Sequence, residues 1–329
     1  MTVGTSIAQA RARHRAGPLT RLLRHGDRPF DAVTLLAALA LLVLAVAIGL
    51  VLWLNSDLPR TAFGWSFLWT SAWDPAITQV FGALPYIAGT LVTSFLALLI
   101  AVPVGLGAAI FLAELAPRWL SRPLGFLIEL LAAVPSVVYG LWGLFVLVPA
   151  VVKPLGGVLS SQLGFLPIFS GPMFGPSRLA AGLLLAVMVL PTITAISRDV
   201  FQAIPVAQRE GALALGATRW EVVRHVLVPY GLSGLLGAII LGLARALGET
   251  IAVTMVIGNN LDLTASLLHP GYTMASVIAN EFSEATNDLY LQSLIEIGLV
   301  LFVMSIGINL LAQLLIWRVK RRANLGGRA

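Results

Sequence analysis

The chain has 329 residues, 58% of them hydrophobic and only 11% charged, with a mean hydropathy of +0.92. A soluble domain carries about 25% charged residues, so this composition excludes a soluble globular protein and puts the chain in a membrane. The absence of cysteine removes disulfide, thiolate and cysteine–metal chemistry, and the net charge of +6 gathers at the ends of apolar runs, as membrane topology rather than as a nucleic-acid footprint.

Residues 1–31 are a basic segment carrying Arg11, Arg13, Arg15, Arg21, Arg24 and Arg28. The apolar run 32–54 that follows is read as a retained membrane helix, since no small-residue cleavage signature comes after it. Residues 55–81 form an outer loop with Trp65, Trp69 and Trp73 as interface anchors. Five further spans are predicted over 84–112, 123–148, 179–197, 231–258 and 292–317, each long enough to cross about 30 Å of hydrocarbon. Pro103 and Pro135 fall inside two of them and predict local kinks. Residues 149–178, rich in Gly, Pro and Ser, and 259–291, acidic and without a basic residue, are the other outer loops. A tail, 319–329, closes the chain. Seventeen of the 21 Lys and Arg residues fall on one side of this six-helix arrangement, which places both termini and the 205–229 segment in the cytoplasm of a multi-pass protein.

Residues 205–229, PVAQREGALALGATRWEVVRHVLVP, are a charged island between spans four and five. Pro205 opens a short helix, Gly216 suits a left-handed cap, and Thr218 with Glu221 has capping-box spacing. Pro229 is expected to stop the second helix. The segment reads as helix, glycine elbow, capped helix, a shape suited to docking a partner on the inner side.

Glu129, Arg245, Glu249 and Glu296 are ionisable residues inside predicted spans. An isolated charge at the bilayer centre costs about 2.5–3.5 kcal/mol on insertion scales, so such groups face the bundle interior or water. Arg245 lies near the middle of span five, and Glu249, four residues on, is expected on the same helix face. Mutual neutralisation is the plainer reading. The functional one is that Arg245 offers a planar cationic fork to an anion, with Glu249 holding that fork while the site is empty. Glu129 lies nearer the cytoplasm, Glu296 near the outer end where it reaches water, and neither receives a role. There is no H-E-x-x-H, G-x-S-x-G or Walker A pattern, and the four histidines are scattered. The chain is therefore not expected to be an enzyme, and any nucleotide chemistry belongs to another subunit.

The elbow resembles the EAA loop of ATP-binding-cassette (ABC) importer permeases: E-A-A, three residues, Gly, nine residues, I-x-L-P. Here it reads Glu210-Gly211-Ala212, Gly216 and Val226-Leu227-Val228-Pro229. With ARALGETIAVTMVIGN (Ala244–Asn259), VPSVVYGLWGL (Val134–Leu144) and MASVIANEFSEA (Met274–Ala285), the chain from about 82 to 318 is similar to PstC-type permease subunits of bacterial phosphate (Pst) importers. The resemblance implies an all-α, MetI-like permease core over 82–318 in the bacterial cytoplasmic membrane. It implies a PstA-like sister permease, a pair of PstB-like ATPase subunits docked at Glu210, Gly211, Ala212, Gly216 and Pro229, and a PstS-like binding protein outside. ATP and Mg would be used by the ATPase, with no cofactor in this chain. The family's intramembrane arginine and glutamate correspond to Arg245 and Glu249. Thr250, Thr254 and Ser136 are candidate hydroxyl partners for phosphate, though each is more commonly a helix-packing residue. A permease for sulfate or molybdate, an ion-gradient-driven anion carrier and a non-transporting scaffold remain as alternatives.

Overall fold

The computed structural model describes the backbone of residues 27–326 and the side chains of 30–318. The basic residues expected to fix the termini, Arg11 to Arg28 and Lys320 to Arg328, have side chains outside the described residues. Among the described residues, six helices are long and apolar enough to cross a membrane: Phe30–Leu54, Leu84–Leu115, Ser136–Leu163, Arg178–Gln202, Arg219–Gly248 and Asp288–Arg318.

The first, α1 (Asp27–Leu54), lies in a unit of its own, Met1–Leu54, and is apolar around nearly its whole circumference. The second unit runs from Asn55. It opens with a short helix α2 (Asp57–Phe63) and a two-residue hairpin, β1 (Trp73–Asp74) against β2 (Val80–Phe81). Its membrane helices are α3 (Leu84–Leu115), α5 (Ser136–Leu163), α6 (Arg178–Gln202), α8 (Arg219–Gly248) and α11 (Asp288–Gly326). Between them lie α4 (Arg118–Ala133), α7 (Val206–Ala214), α9 (Ile251–Val256) and α10 (Met274–Glu281).

The central helix is α6, buried over most of its length, with α3 packed along it. On α3 the residues Gly89, Thr93, Ala97, Ala101, Gly105 and Ala109 are all buried. They recur four apart, a stripe of small residues that lets helix backbones approach closely in lipid, where dispersion packing rather than hydrophobicity drives association. The closeness is measurable: a Cβ at Gly182 of α6 would stand 2.5 Å from a Leu96 methyl. Gly242 of α8 is also tight against α6: a Cβ there would stand 2.9 Å from Ile193 and Val189 side chains.

Two spans differ from the sequence expectation. The third does not begin at 123. Pro135 pushes Val134 into an extended conformation (φ −64°, ψ 130°) and ends α4, as the residue before proline disfavours the helical region. Residues 118–133 are thus a separate helix, and the span is 136–163, so half of the expected outer loop 149–178 is helical. Pro149 lies inside a π-helical stretch, Gly143–Val152, whose wider turn accommodates the missing donor. The fifth span does not run unbroken to 258: it stops at Gly248, Glu249 is extended (ψ 127°), and α9 starts afresh at Ile251. By contrast, α3 remains helical through Pro103.

The outer loop 257–273 folds back onto the bundle instead of standing in solvent. Gly258 bridges Gly271, and Leu268 is fully buried in the central core. Arg178, itself buried, holds this loop by donating to the carbonyls of Asp262 (2.6 Å), Thr264 (2.7 Å) and Ser266 (3.2 Å). Trp65 and Trp69 are exposed as interface anchors require. Trp73 is not: it is buried, in edge contact with Phe81 and Tyr86.

Candidate functional site

The elbow at 205–229 is built as its residues dictate. Pro205 precedes α7 in extended conformation, and Gly216 turns the chain at φ +87°, a region that an L side chain enters only with strain. Thr218 and Glu221 form the reciprocal capping box: Thr218 Oγ1 accepts from Glu221 N, and Glu221 Oε2 accepts from Thr218 N at 2.8 Å. Ala212 and Ala217 pack inward on Phe201, Val222 and Leu227. Val206, Leu213, Leu215 and Trp220 are exposed, as is Glu210, so the tip presents apolar surface beside charge. Gly211 has open space where a Cβ would sit, so alanine at this position meets no obstacle. Pro229 does not end the second helix. A π turn, Val223–Leu227, precedes it, and α8 continues through Pro229 without a break to Gly248.

At membrane depth, Arg245 occupies the last turn of α8. Its Nη1 donates to Thr192 Oγ1 at 3.2 Å. Thr192 lies near the middle of the 25-residue α6, which sets the guanidinium near mid-span. Among the described residues Arg245 has no carboxylate partner. The expected pairing on one helix face with Glu249 is therefore absent. Glu249 stands past the helix end, where the periodicity of 3.6 no longer applies, and its Oε1 accepts from Ala252 N at 3.3 Å at the start of α9.

The hydroxyls are placed unevenly. Thr250 Oγ1 donates to Gly248 O (3.2 Å) and Thr254 Oγ1 to Thr250 O (2.8 Å), so both stitch the break between α8 and α9. Ser136 opens α5, whose first turns pack on α9 so closely that a Cβ at Gly140 would stand 3.1 Å from Ala252 Cα. Tyr139, one turn along, is within electrostatic reach of Arg245 and donates to Leu131 O at 2.8 Å. The structure thus gathers two helix interruptions, at 134–135 and 249–250, around one unpaired guanidinium. Broken helices at mid-membrane are the usual means of exposing backbone polar groups to a transported solute. Thr192 was missed in the sequence reading. Its signal is a hydroxyl beside the mid-span proline Pro191, as Ser136 stands beside Pro135.

The remaining intramembrane acids separate. Glu129 lies on α4 and pairs with Arg198 at 2.7 Å. Glu296 does not reach water: it is only 6% exposed, and its Oε2 has no hydrogen-bond partner among the described residues. On the outer side, Glu281 borders a cavity of about 480 Å³ shared with Trp73, Tyr272, Asn280, Glu284 and Tyr290. Its Oε2 accepts from Trp73 Nε1 (2.7 Å) and Tyr290 OH (2.8 Å). Burial pushes the carboxyl above its ordinary range, and these donors only partly offset that.

The family described as "binding-protein-dependent transport system inner membrane component" matches residues 101–324. The chain is 45% identical over 300 residues to the phosphate transport system permease protein PstC of Mesorhizobium japonicum, covering 90% of this chain and 91% of that one. It is 47% identical to the protein of the same name from Haemophilus influenzae, covering 89% and 93%. Among solved structures, a chain of a bacterial alginate ABC transporter superposes with a TM-score of 0.56 over 89% of this chain and 94% of that one, at 15% identity. A chain of an inward-facing MetNI methionine ABC transporter does so with 0.51 over 72% and 94%, at 19% identity. At such identities the likeness is one of fold.

Proposed function

The chain belongs to the family of binding-protein-dependent transport system inner membrane components, and on that premise we propose that it is the membrane-spanning permease subunit of an ATP-driven importer of inorganic phosphate. Its PstC-named relatives supply the substrate, and the arginine site supplies the chemistry. Orthophosphate carries one or two negative charges near neutral pH, and a guanidinium matches its oxygens bidentately. An unpaired Arg245 at mid-membrane is costly unless an anion visits it.

One observation carries the reading: the elbow's second leg and the helix that bears Arg245 are a single unbroken helix, Arg219–Gly248. From Arg219 to Arg245 that is about 39 Å of rigid rod at 1.5 Å per residue. A partner that pushes the elbow therefore displaces Arg245 directly, and no flexible link absorbs the stroke. The elbow's exposed Leu213, Leu215, Trp220 and Glu210 are the surface for a PstB-like ATPase pair, which uses the ATP and Mg. A PstA-like permease completes the conduit, a PstS-like protein delivers phosphate from outside, and both termini are cytoplasmic. Glu249, which accepts from Ala252 N at the start of α9, would compete for Arg245 as phosphate leaves. Thr192, Thr250, Thr254 and Ser136 line the same interruption.

The test is reconstitution of the assembled importer in proteoliposomes with labelled phosphate. ATP-dependent uptake that excess sulfate and molybdate do not suppress is the expected result. Suppression by either would reassign the cargo to that oxyanion, and uptake driven by an ion gradient without ATP would overturn the proposal.

A further inference from the structure

Helix α3 has no chain connection to the elbow, yet its inner end is tied to it. The last turn of α3, Phe111–Leu115, is π-helical and carries Glu114, a side chain 14% exposed. Arg209, on α7 and next to Glu210, reaches it: Nη2 stands 2.8 Å from Glu114 Oε1. The same guanidinium donates to Phe201 O and, at 3.3 Å, to Ile204 O, at the inner end of α6 and just beyond it. One side chain thus joins the coupling helix to the inner ends of both α3 and α6, over an apolar floor of Ala109, Phe201, Ile204 and Leu227.

Two details distinguish this pair from a static staple. Its approach angle leaves Glu114 Oε1 without an aligned donor, and Arg209 Nε has no partner among the described residues. Buried polar groups are normally satisfied, so a partly satisfied pair marks a geometry that a small displacement would improve. The π turn that carries Glu114 is matched by a second one, Val223–Leu227, on the elbow's other leg. Such turns recur at functional sites.

We propose that Arg209 and Glu114 are positioning residues that give the elbow a second mechanical output. The continuous helix drives α8 and Arg245, and the ion pair drives α3, so that these two helices, both packed on α6, move together. This rests on the elbow being the ATPase dock.

The pair is tested in the complete importer. Glu114→Gln keeps the shape of the side chain and removes its charge. Uptake of labelled phosphate should fall about tenfold, the usual size of a lost coupling, while ATP hydrolysis by the recruited ATPase persists. Arg209→Lys, which keeps the charge and the ability to donate, should retain more of the uptake than Arg209→Gln. The chain has no cysteine, so Phe95→Cys and Leu241→Cys, on exposed faces of α3 and α8, accept the only spin labels in this subunit. ATP should change the distance between them in the otherwise unaltered protein and not in Glu114→Gln. Unchanged uptake and unchanged distance response in Glu114→Gln would overturn the proposal, and so would loss of ATPase recruitment, which would make the pair a folding contact. A distance response without phosphate uptake in the unaltered complex would sink the cargo assignment alone.

Discussion

Arg245 donates to Thr192 across the α8–α6 interface and not to Glu249, four residues along its own chain. The helix ends between the two charged residues, so the guanidinium is held in place by a neutral hydroxyl and keeps its charge uncompensated. A carboxylate partner would have neutralised it and made a poor anion receptor. Thr192 accepts from one guanidinium nitrogen, Nη1; the proposed role of Arg245 as an anion receptor needs the rest of the fork.

That arrangement separates two substitutions. Arg245→Gln should abolish ATP-dependent phosphate uptake in an assembled complex, since no charge remains to offset dehydration of the anion. Thr192→Val, which keeps the shape and deletes one hydrogen bond worth about 1–3 kcal/mol to a charged group, should reduce uptake about tenfold and leave assembly intact. Equal uptake by Thr192→Val and the unaltered protein would show that the threonine does not orient the arginine.

The two glycines of the elbow should respond oppositely. Gly211 sits inside α7 with open space around it, so Gly211→Ala should stabilise the helix by about 0.5–1 kcal/mol without loss of ATPase recruitment. Gly216 also has room, but its φ of +87° penalises any side chain. Gly216→Ala should cost about 1 kcal/mol or more and weaken ATPase binding. Thermal unfolding of the subunit and ATPase co-purification measure both.

Close packing predicts a third contrast. A Cβ at Gly89 would stand 1.8 Å from Tyr272 O, a backbone atom that cannot rotate away. A Cβ at Gly107 meets nothing within 4 Å. Gly89→Ala should therefore displace the outer loop from α3 and lower the melting temperature, by an overpacking cost of about 1–3 kcal/mol or more. Gly107→Ala should leave it unchanged or raised. Limited proteolysis of the 257–273 loop would register the difference.

Stability should also depend on pH through Glu281. Burial raises its folded-state pKa above the ordinary value of 4.5. The fold therefore favours the protonated form. That contribution is fully present below the ordinary value and is lost as pH rises through the raised one. Glu281→Gln should flatten the pH dependence of the melting temperature as pH rises above the ordinary carboxyl value of 4.5. An unchanged slope would mean that Glu281 is not the group responsible.

Much of the architecture was legible in the residues. Composition and apolar runs established six membrane helices, because each run must satisfy its backbone internally over the width of the bilayer. The elbow was equally legible, since Pro205, Gly216, Thr218 and Glu221 act through local dihedral and capping preferences that operate within a few residues. The same local logic failed at Pro229, which was expected to stop a helix, and it did not tell one proline from another. Pro135 separates two helices, whereas Pro103 and Pro229 lie in continuous ones. A proline's missing donor breaks a helix only where neighbouring packing or a π turn does not accommodate it.

What the sequence determined by itself, then, was what short-range chemistry and partition into lipid set: the class, the number of spans, the helical elbow and a mid-membrane arginine. The tertiary structure alone decided which groups that arginine and its neighbours meet. Thr192 against Arg245, Arg209 against Glu114 and Arg198 against Glu129 each join residues more than fifty apart along the chain. Such pairs follow from how helices cross and where they break, and those depend on the interlocking of small residues such as Gly105, Gly182 and Gly242 over the whole bundle.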